Sequence, residues 1–504
     1  MIQNRLFIVF LLTLIVINII TIYLSIFILY SRYLFLKIGH DTTVHLQKVI
    51  NTMNLRPFVS SEMFGCASHH WDLTLILFFG PLLKIFNNPL PVIFSPILGY
   101  LTSIIIFLLF YFIDRKYVLI AFLCSLAYLF NEYIILRGLG ADYADSILFT
   151  IFFSFSILLF TKKRYDLALI PMFLSYNVNL ETIPYQSLLF FSTILFFFNK
   201  KMDNIEKRAF IKYTIFTMIY ILLFHFLLYR WLSRDYDNVF EFYYKNRHRM
   251  ETEKEENPIF VLIKNIANLN NEKLDFLTRH IIYLFPFSLI PANLFNVLMS
   301  LSASERFYGN YTSPDTHYHI TIPIFTVLTI FFYFYYNKPS SKKILILFYI
   351  ILIATLVIKL NYVFPLIIRS YNYVINLSQN VEIIEKKKEL LDISSKYIDF
   401  KKSIMAPLTV SYLFYNTALV LPITDSTFNS KECKILSNKF RCLDKDPIKT
   451  YYLLFDRTEI KNCDEHILTK NLEEDGYRKI YSGKYFILFE IENESEAYYG
   501  MPLI

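Results

Sequence analysis

Apolar residues in this chain come in long runs separated by short basic clusters. Residues 6–30, 90–113, 209–229, 317–336 and 343–365 are nearly free of charge. Each is close to the ~20 residues that cross a hydrocarbon core of about 30 Å. Asp114-Arg-Lys116, Lys162-Lys-Arg164, Asn199-Lys-Lys201 with Lys207-Arg208, and Lys338 with Lys342-Lys343 each fall between two apolar runs. Placing them all on the cytoplasmic side predicts crossings at 6–30, 90–113, 117–136, 145–161, 165–181, 184–198, 209–231, 317–336 and 343–365. Nine crossings put the N-terminus in the cytoplasm and the C-terminus outside. The first run ends in Tyr30-Ser-Arg-Tyr33 without a small-residue cleavage site, so it reads as a signal anchor of a multi-pass protein of the cell membrane.

Two further apolar stretches do not fit as full spans. Residues 73–86 are short and carry Gly80-Pro81, and residues 280–302 are broken by Pro286 and Pro291. Both read as re-entrant or juxtamembrane hairpins, whose freed backbone groups need protein cover. The polar loops 31–72, 137–145 and 303–316 then gather on the outer face, with the charged segment 232–279. From about residue 370 the pattern changes. Residues 381–400 carry apolar positions at helical spacing. Ser403-Ile-Met-Ala-Pro407, a helical stretch to Tyr415, and Ala418-Leu-Val-Leu-Pro422 predict strand, helix, strand; Tyr451 to Phe455 and Tyr485 to Glu490 predict further strands. The expected fold is mainly α: a polytopic membrane helix bundle over residues 1–369 and a small extracytoplasmic α/β domain over 370–504.

Composition agrees with lipid as the main partner. Of the 504 residues, 55% are hydrophobic and 18% charged, and the mean hydropathy is +0.41, against about 25% charged in an average soluble domain. With ten glycines there is no GxGxxG and no GxxxxGK[ST], and Gly138-Leu-Gly140 lacks the third glycine, which excludes ordinary dinucleotide and P-loop sites. The net charge of +8 sits in the inter-span clusters, so nucleic acid is not an expected partner. The five cysteines form no CxxC. Cys66 and Cys124 stand alone, and Cys433, Cys442 and Cys463 allow one disulfide or three free thiols.

Five polar clusters fall on the outer side. His40-Asp41 opens a segment in which Asp41, His45 and Lys48 share a helical face; it is either a solvated helix at the membrane surface or a place for a general base. Ser68-His69-His70-Trp71-Asp72 precedes the first hairpin and leaves a divalent metal open as a cofactor, with phosphate as the other ligand it suits. Arg137-Gly-Leu-Gly-Ala-Asp142-Tyr-Ala-Asp145 offers two carboxylates three residues apart, which equally suit plain helix capping. Glu181 interrupts an apolar run, where a carboxylate needs a partner or water. Asp315-Thr-His317-Tyr318-His319 leads into the apolar run beginning near Ile320. Polar groups from distant segments on one face of an apolar bundle suit a substrate with a lipid tail and a polar head.

The order of these segments resembles the DUF2079 family of membrane proteins, which is similar to the GT-C superfamily of lipid-dependent glycosyltransferases. The matching pieces are His40-Asp41 with Gln47, His69-His70 before Asn88-Pro89-Leu90, the Asp142–Asp145 loop, Leu180-Glu181, the run at 286–291, and His317-Tyr318 with Pro323. Tyr452-Leu-Leu-Phe-Asp456, Gly476-Tyr477 and Tyr485 to Glu490 extend the likeness to the C-terminal domain. The resemblance implies a GT-C-like bundle capped by that domain, a sugar donor linked to polyprenyl phosphate, an acceptor of unspecified kind, and Asp41 as catalytic base. It also implies substrate contacts from His40, His69, His70, Arg137, Asp142, Asp145, Glu181, His317 and Tyr318, with His69, His70 or nearby arginines on the carrier phosphate. Two other readings stay open: a transporter or flippase for an amphiphile with Glu181 as coupling acid, and an inactive membrane scaffold.

Overall fold

The computed structural model describes residues 2–38, 40–54, 73–139, 146–178, 183–223, 263, 266–302, 320–417, 419–423, 428–429, 431–435, 449–460 and 463–497. In chain order its main helices are α1 (Ile2–Leu34), α2 (His40–Met53), α3 (Leu73–Phe86), α4 (Thr102–Ile113), α5 (Val118–Leu129), α6 (Glu132–Gly138), α7 (Ser146–Thr161) and α8 (Leu169–Tyr176). They continue with α9 (Ile183–Phe198), α10 (Asn204–Tyr220), α11 (Asn271–Ile282), α12 (Pro291–Ser302), α13 (Thr321–Asn337), α14 (Lys342–Ser378), α15 (Val381–Lys396) and α16 (Glu465–Glu474). The strands are β1 (Ser403–Pro407), β2 (Leu419–Ile423), β3 (Phe428–Asn429), β4 (Lys434–Ile435), β5 (Tyr452–Asp456), β6 (Tyr477–Ser482) and β7 (Phe486–Ile491). The protein is thus mainly helical, with a small sheet region at its C-terminus.

Contacts divide the chain into two compact units: Met1–Ser25, Pro96–Leu139 and Ala144–Ile368, and Ile26–Ser95, Gly140–Tyr143 and Arg369–Ile504. Among the described residues, three helical stretches are long and apolar enough to cross a membrane: Asn4–Leu34, Leu90–Ile113 and Lys342–Ser378. Only 11% of the most apolar window of the first is buried by protein. That face carries Leu12, Val16, Ile19 and Tyr23, a surface that suits lipid and not water. A fourth span exists if Arg115–Leu129 and Glu132–Gly138, bent by 56° at their break, count as one. The expected run at 165–181 is not one helix. Among its described residues only Leu169–Tyr176 is α-helical; Pro171 fits its first turn, and Asn177 closes it by donating from Nδ2 to the Phe173 carbonyl at 2.7 Å. The run at 280–302 breaks at Pro286 and Pro291 as its prolines predict, giving α11, a single 3-10 turn at Phe287–Leu289, and α12.

The first unit is held by aromatic packing and by hydroxyl and amide links between helices. Phe149, Phe153, Phe190 and Phe325 form one cluster, with ring centroids 5.1–5.6 Å apart between Phe325 and each of the other three. Asn18 Nδ2 donates to Ser103 Oγ at 2.9 Å, Tyr128 OH to Thr150 Oγ1 at 2.7 Å, Asn293 Nδ2 to Thr326 Oγ1 at 2.7 Å, and Gln186 Nε2 to Asn296 Oδ1 at 2.7 Å. Such links replace water where none is present. Gly138 permits one close approach: a Cβ there would lie 1.7 Å from the Tyr100 hydroxyl oxygen.

The basic turns of this unit meet one another. Arg115 Nη1 donates to Asn4 Oδ1 at 2.9 Å, Tyr117 OH to the Pro339 carbonyl at 3.0 Å, and Lys201 to Asn337. The Lys162 ammonium sits 3.1 Å from the Phe112 ring centre, and Lys212 pairs with Asp166. The clusters that the sequence assigns to one side therefore share one end of the helical unit.

In the second unit the five-stranded sheet has the order β2-β1-β5-β7-β6. β1 pairs in parallel with β2 and β5, while β5–β7 and β7–β6 are antiparallel. Beside this sheet, β3 and β4 form a two-stranded ladder, and Cys433 and Cys463 form a disulfide. β2 is an edge strand, and an uncovered edge leaves N–H and C=O groups without partners. Helix α2 covers it. Asn51 Nδ2 donates to the Val420 carbonyl at 3.1 Å while its Oδ1 accepts from the Val420 N–H at 3.2 Å, so the amide stands in for a neighbouring strand. Gln47 Nε2 donates to the same carbonyl at 2.5 Å, and Asn54 Nδ2 to the Thr417 carbonyl at 2.8 Å. Lys84 of α3 donates to Asn54 Oδ1 at 2.6 Å. Replacing Asn51 with Leu leaves Gln47 on the carbonyl but removes the acceptor of a buried N–H, at a cost of about 1–3 kcal/mol. The expected outcome is a lower thermal midpoint with faster hydrogen exchange at the Val420 amide; unchanged protection there would show that α2 does not seal the edge.

Candidate functional site

Two groupings of polar side chains stand out among the described residues, one in each unit. The first is α2 itself. Its Thr42, Thr43, His45, Gln47, Lys48 and Asn51 are all buried, which corrects the solvated-helix reading of this segment. Amides at positions 47, 51 and 54 recur at helical spacing, and that places them against β2 and the turn before it. His40 and Asp41 open the helix; their side chains lie outside the described ones.

The second grouping lies inside the helical unit. Asn131 caps α6 by accepting from the Tyr133 N–H at 3.0 Å, and Glu132 follows as the first helical residue. Lys359, midway along the apolar α14, donates to Glu132 Oε1 at 2.8 Å and Oε2 at 2.7 Å. Both side chains are nearly sealed from solvent, at 3% and 4% exposure. The Lys359 ammonium also faces the Tyr283 ring at 5.2 Å. Tyr283 in turn donates to the Ala127 carbonyl at 3.2 Å, at the end of α5. His280 is buried, stacked on Tyr133 at 5.8 Å and edge-on to Phe276 at 4.0 Å. Arg279 pairs with Asp275 at 2.6 Å and lies over the Tyr362 ring at 4.5 Å. Tyr133 is within electrostatic reach of Glu132, Arg279, Asp275 and Arg137.

Of the catalytic and substrate-contact residues that the resemblance implies, Arg137 alone has a described side chain. It is buried in the last turn of α6, the helix that Glu132 opens, and lies within electrostatic reach of Tyr133. His69, His70, Asp142, Asp145, Glu181, His317 and Tyr318 lie outside the described residues. Among the described residues no three His, Cys, Asp or Glu side chains gather as a metal site; the His69-His70-Asp72 cluster lies outside those residues.

Glu132, His280 and Lys359 are not among the candidates read from the sequence, although it carries a signal for two of them: a single acid inside one apolar run and a single lysine inside another. Two charges removed from water are retained only when they satisfy each other, and breaking one side strands the other. Lys359→Met is therefore expected to destabilise the detergent-purified protein by about 3–5 kcal/mol, while Glu132→Leu combined with Lys359→Met recovers most of the loss. Equal loss in the single and double variants would mean that the pair does not act as a unit.

The chain matches no known family model and no curated protein sequence.

Proposed function

We propose that this protein is an integral membrane glycosyltransferase-like enzyme of the GT-C type, close to the DUF2079 family, that moves a sugar from a polyprenyl-phosphate carrier to an acceptor on the outer face. In this reading the chain crosses the bilayer nine times, with the short helix Leu169–Tyr176 and its flanking turns as one interrupted crossing, from a cytoplasmic N-terminus to an extracytoplasmic C-terminal domain. The meeting of the basic turns at one end of the helical unit supports that orientation. The Cys433–Cys463 disulfide supports an oxidising compartment for the C-terminal domain.

One observation carries the reading. The first apolar span is followed at once by a helix that begins His40-Asp41, and that helix is tied to the C-terminal sheet by Gln47, Asn51 and Asn54. A helix braced in this way supports a general base among its first residues, because its backbone is fixed rather than carried on a loose loop. Asp41 takes the proton of the acceptor hydroxyl while that oxygen bonds to the sugar's anomeric carbon. The bond from that carbon to the carrier phosphate breaks, and polyprenyl phosphate leaves with the electron pair. His69 and His70 hold the phosphate, and His40, Arg137, Asp142, Asp145, Glu181, His317 and Tyr318 contact donor and acceptor. If the His69-His70 cluster holds a divalent ion, that ion neutralises phosphate charge.

Asp41→Asn is expected to abolish transfer from a polyprenyl-phosphate sugar while leaving yield, thermal midpoint and carrier binding at wild-type levels. Full activity in that variant overturns the assignment. The His69→Ala/His70→Ala double variant is expected to weaken carrier binding instead. A second reading, movement of an amphiphile across the bilayer, is favoured by the buried Glu132–Lys359 pair at a broken helix, an arrangement used where charges move in membranes. Uptake that collapses with the proton gradient and with Glu132→Gln would decide for it.

A further inference from the structure

The C-terminal sheet has a topological switch point that none of the candidates above uses. From β1 the chain passes to β2 on one side, and the next parallel strand, β5, lies on the other side of β1. In open α/β sheets, ligands bind outside the carboxyl ends of the strands where the order reverses in this way. The residues just past those two ends are polar and touch. Thr409, after β1, donates from Oγ1 to Glu459 Oε1 at 2.8 Å, bridging the gap between the strand ends. Asp456, the last residue of β5, forms a buried floor and accepts from the Thr458 N–H at 2.8 Å and Thr458 Oγ1 at 2.7 Å. Lys386 of α15 pairs with Asp456 and donates to Thr458 Oγ1 at 3.1 Å. Lys37 acts on Glu459 electrostatically. Glu459 opens to solvent on one side and is crowded by protein on the other. That crowding, and then Asp456 beside it, push its carboxyl above the usual range.

The chemistry of this cluster selects its ligand. A metal ion would meet the Lys386 ammonium, and an anion would meet two carboxylates. A neutral ligand that donates and accepts at adjacent atoms meets both, and vicinal hydroxyls do so: one donates to the Glu459 carboxylate, while its neighbour accepts from Lys386. We propose that Thr409, Thr458, Glu459 and Lys386, over Asp456, form a saccharide-binding site in the C-terminal domain. Its role as the seat of the acceptor rests on the glycosyltransferase reading; the binding itself does not.

The test uses the full chain in detergent on an array of immobilised oligosaccharides built from glucose, galactose, mannose, arabinose and N-acetylhexosamines. Binding to at least one saccharide is expected, weakened about tenfold or more in Glu459→Ala and in Thr409→Val, as the loss of a charge-assisted hydrogen bond requires. Glu459→Gln, which keeps the shape and part of the hydrogen bonding, is expected to fall between. Arg478→Gln, at an exposed ion pair with Glu490, is expected to bind as wild type. Thermal unfolding of each variant separates lost binding from lost folding. No binding by the wild type, or equal binding by folded Glu459→Ala and Thr409→Val, overturns the proposal. Saccharide binding that persists in a protein unable to bind polyprenyl-phosphate sugars would sink the glycosyltransferase reading and leave this site standing.

Discussion

A polar group surrounded by apolar protein has no water to turn to, and most of what is specific in this structure follows from that constraint. In the helical unit the serines, threonines, asparagines and tyrosines that interrupt the apolar runs bond to one another across helices, as Asn18 does with Ser103 and Asn293 with Thr326. The same demand forces Lys359 onto Glu132. Neither charge is affordable alone, so each fixes the rotation of its own helix relative to the other's. Apolar packing tolerates small shifts of register; a buried ion pair does not.

The C-terminal sheet solves the same problem by a different route. Its edge strand β2 would leave Val420 with an unpaired N–H and C=O, and Asn51 supplies both an acceptor and a donor from a helix. A side chain thereby extends a sheet, and the helix that carries it becomes part of the domain. This gives α2 a structural duty as well as the candidate catalytic one at its first residues. Variants along α2 separate the two, because the amides at 47, 51 and 54 face the sheet while Asp41 belongs to the helix start.

Much of the architecture was legible in the chain. The apolar runs located α1, α4, α13 and α14; Pro286 and Pro291 placed the break between α11 and α12; short apolar runs placed β1, β2, β5 and β7. Where periodicity misled, local chemistry explains it. The run at 165–181 is apolar enough to suggest a span, yet Pro171 and Asn177 confine the α-helix to Leu169–Tyr176. β6 and α16 carry mixed, weakly patterned residues and escaped notice; β6 shows one buried position in six, so its alternation is faint.

The sequence by itself determined the class of molecule: spans of sufficient length, basic turns between them, and a more polar region with short apolar strands at the end. These are properties of residues near one another in the chain, where hydrophobicity and backbone preference act. Only the tertiary structure decided which polar residues meet. Glu132 and Lys359 are far apart in sequence, as are Asn51 and Val420 or Thr409 and Glu459. Each pairing depends on packing geometry that no local pattern encodes, because a hydrogen bond or ion pair is decided within about 3 Å while hydrophobic burial is satisfied by many arrangements.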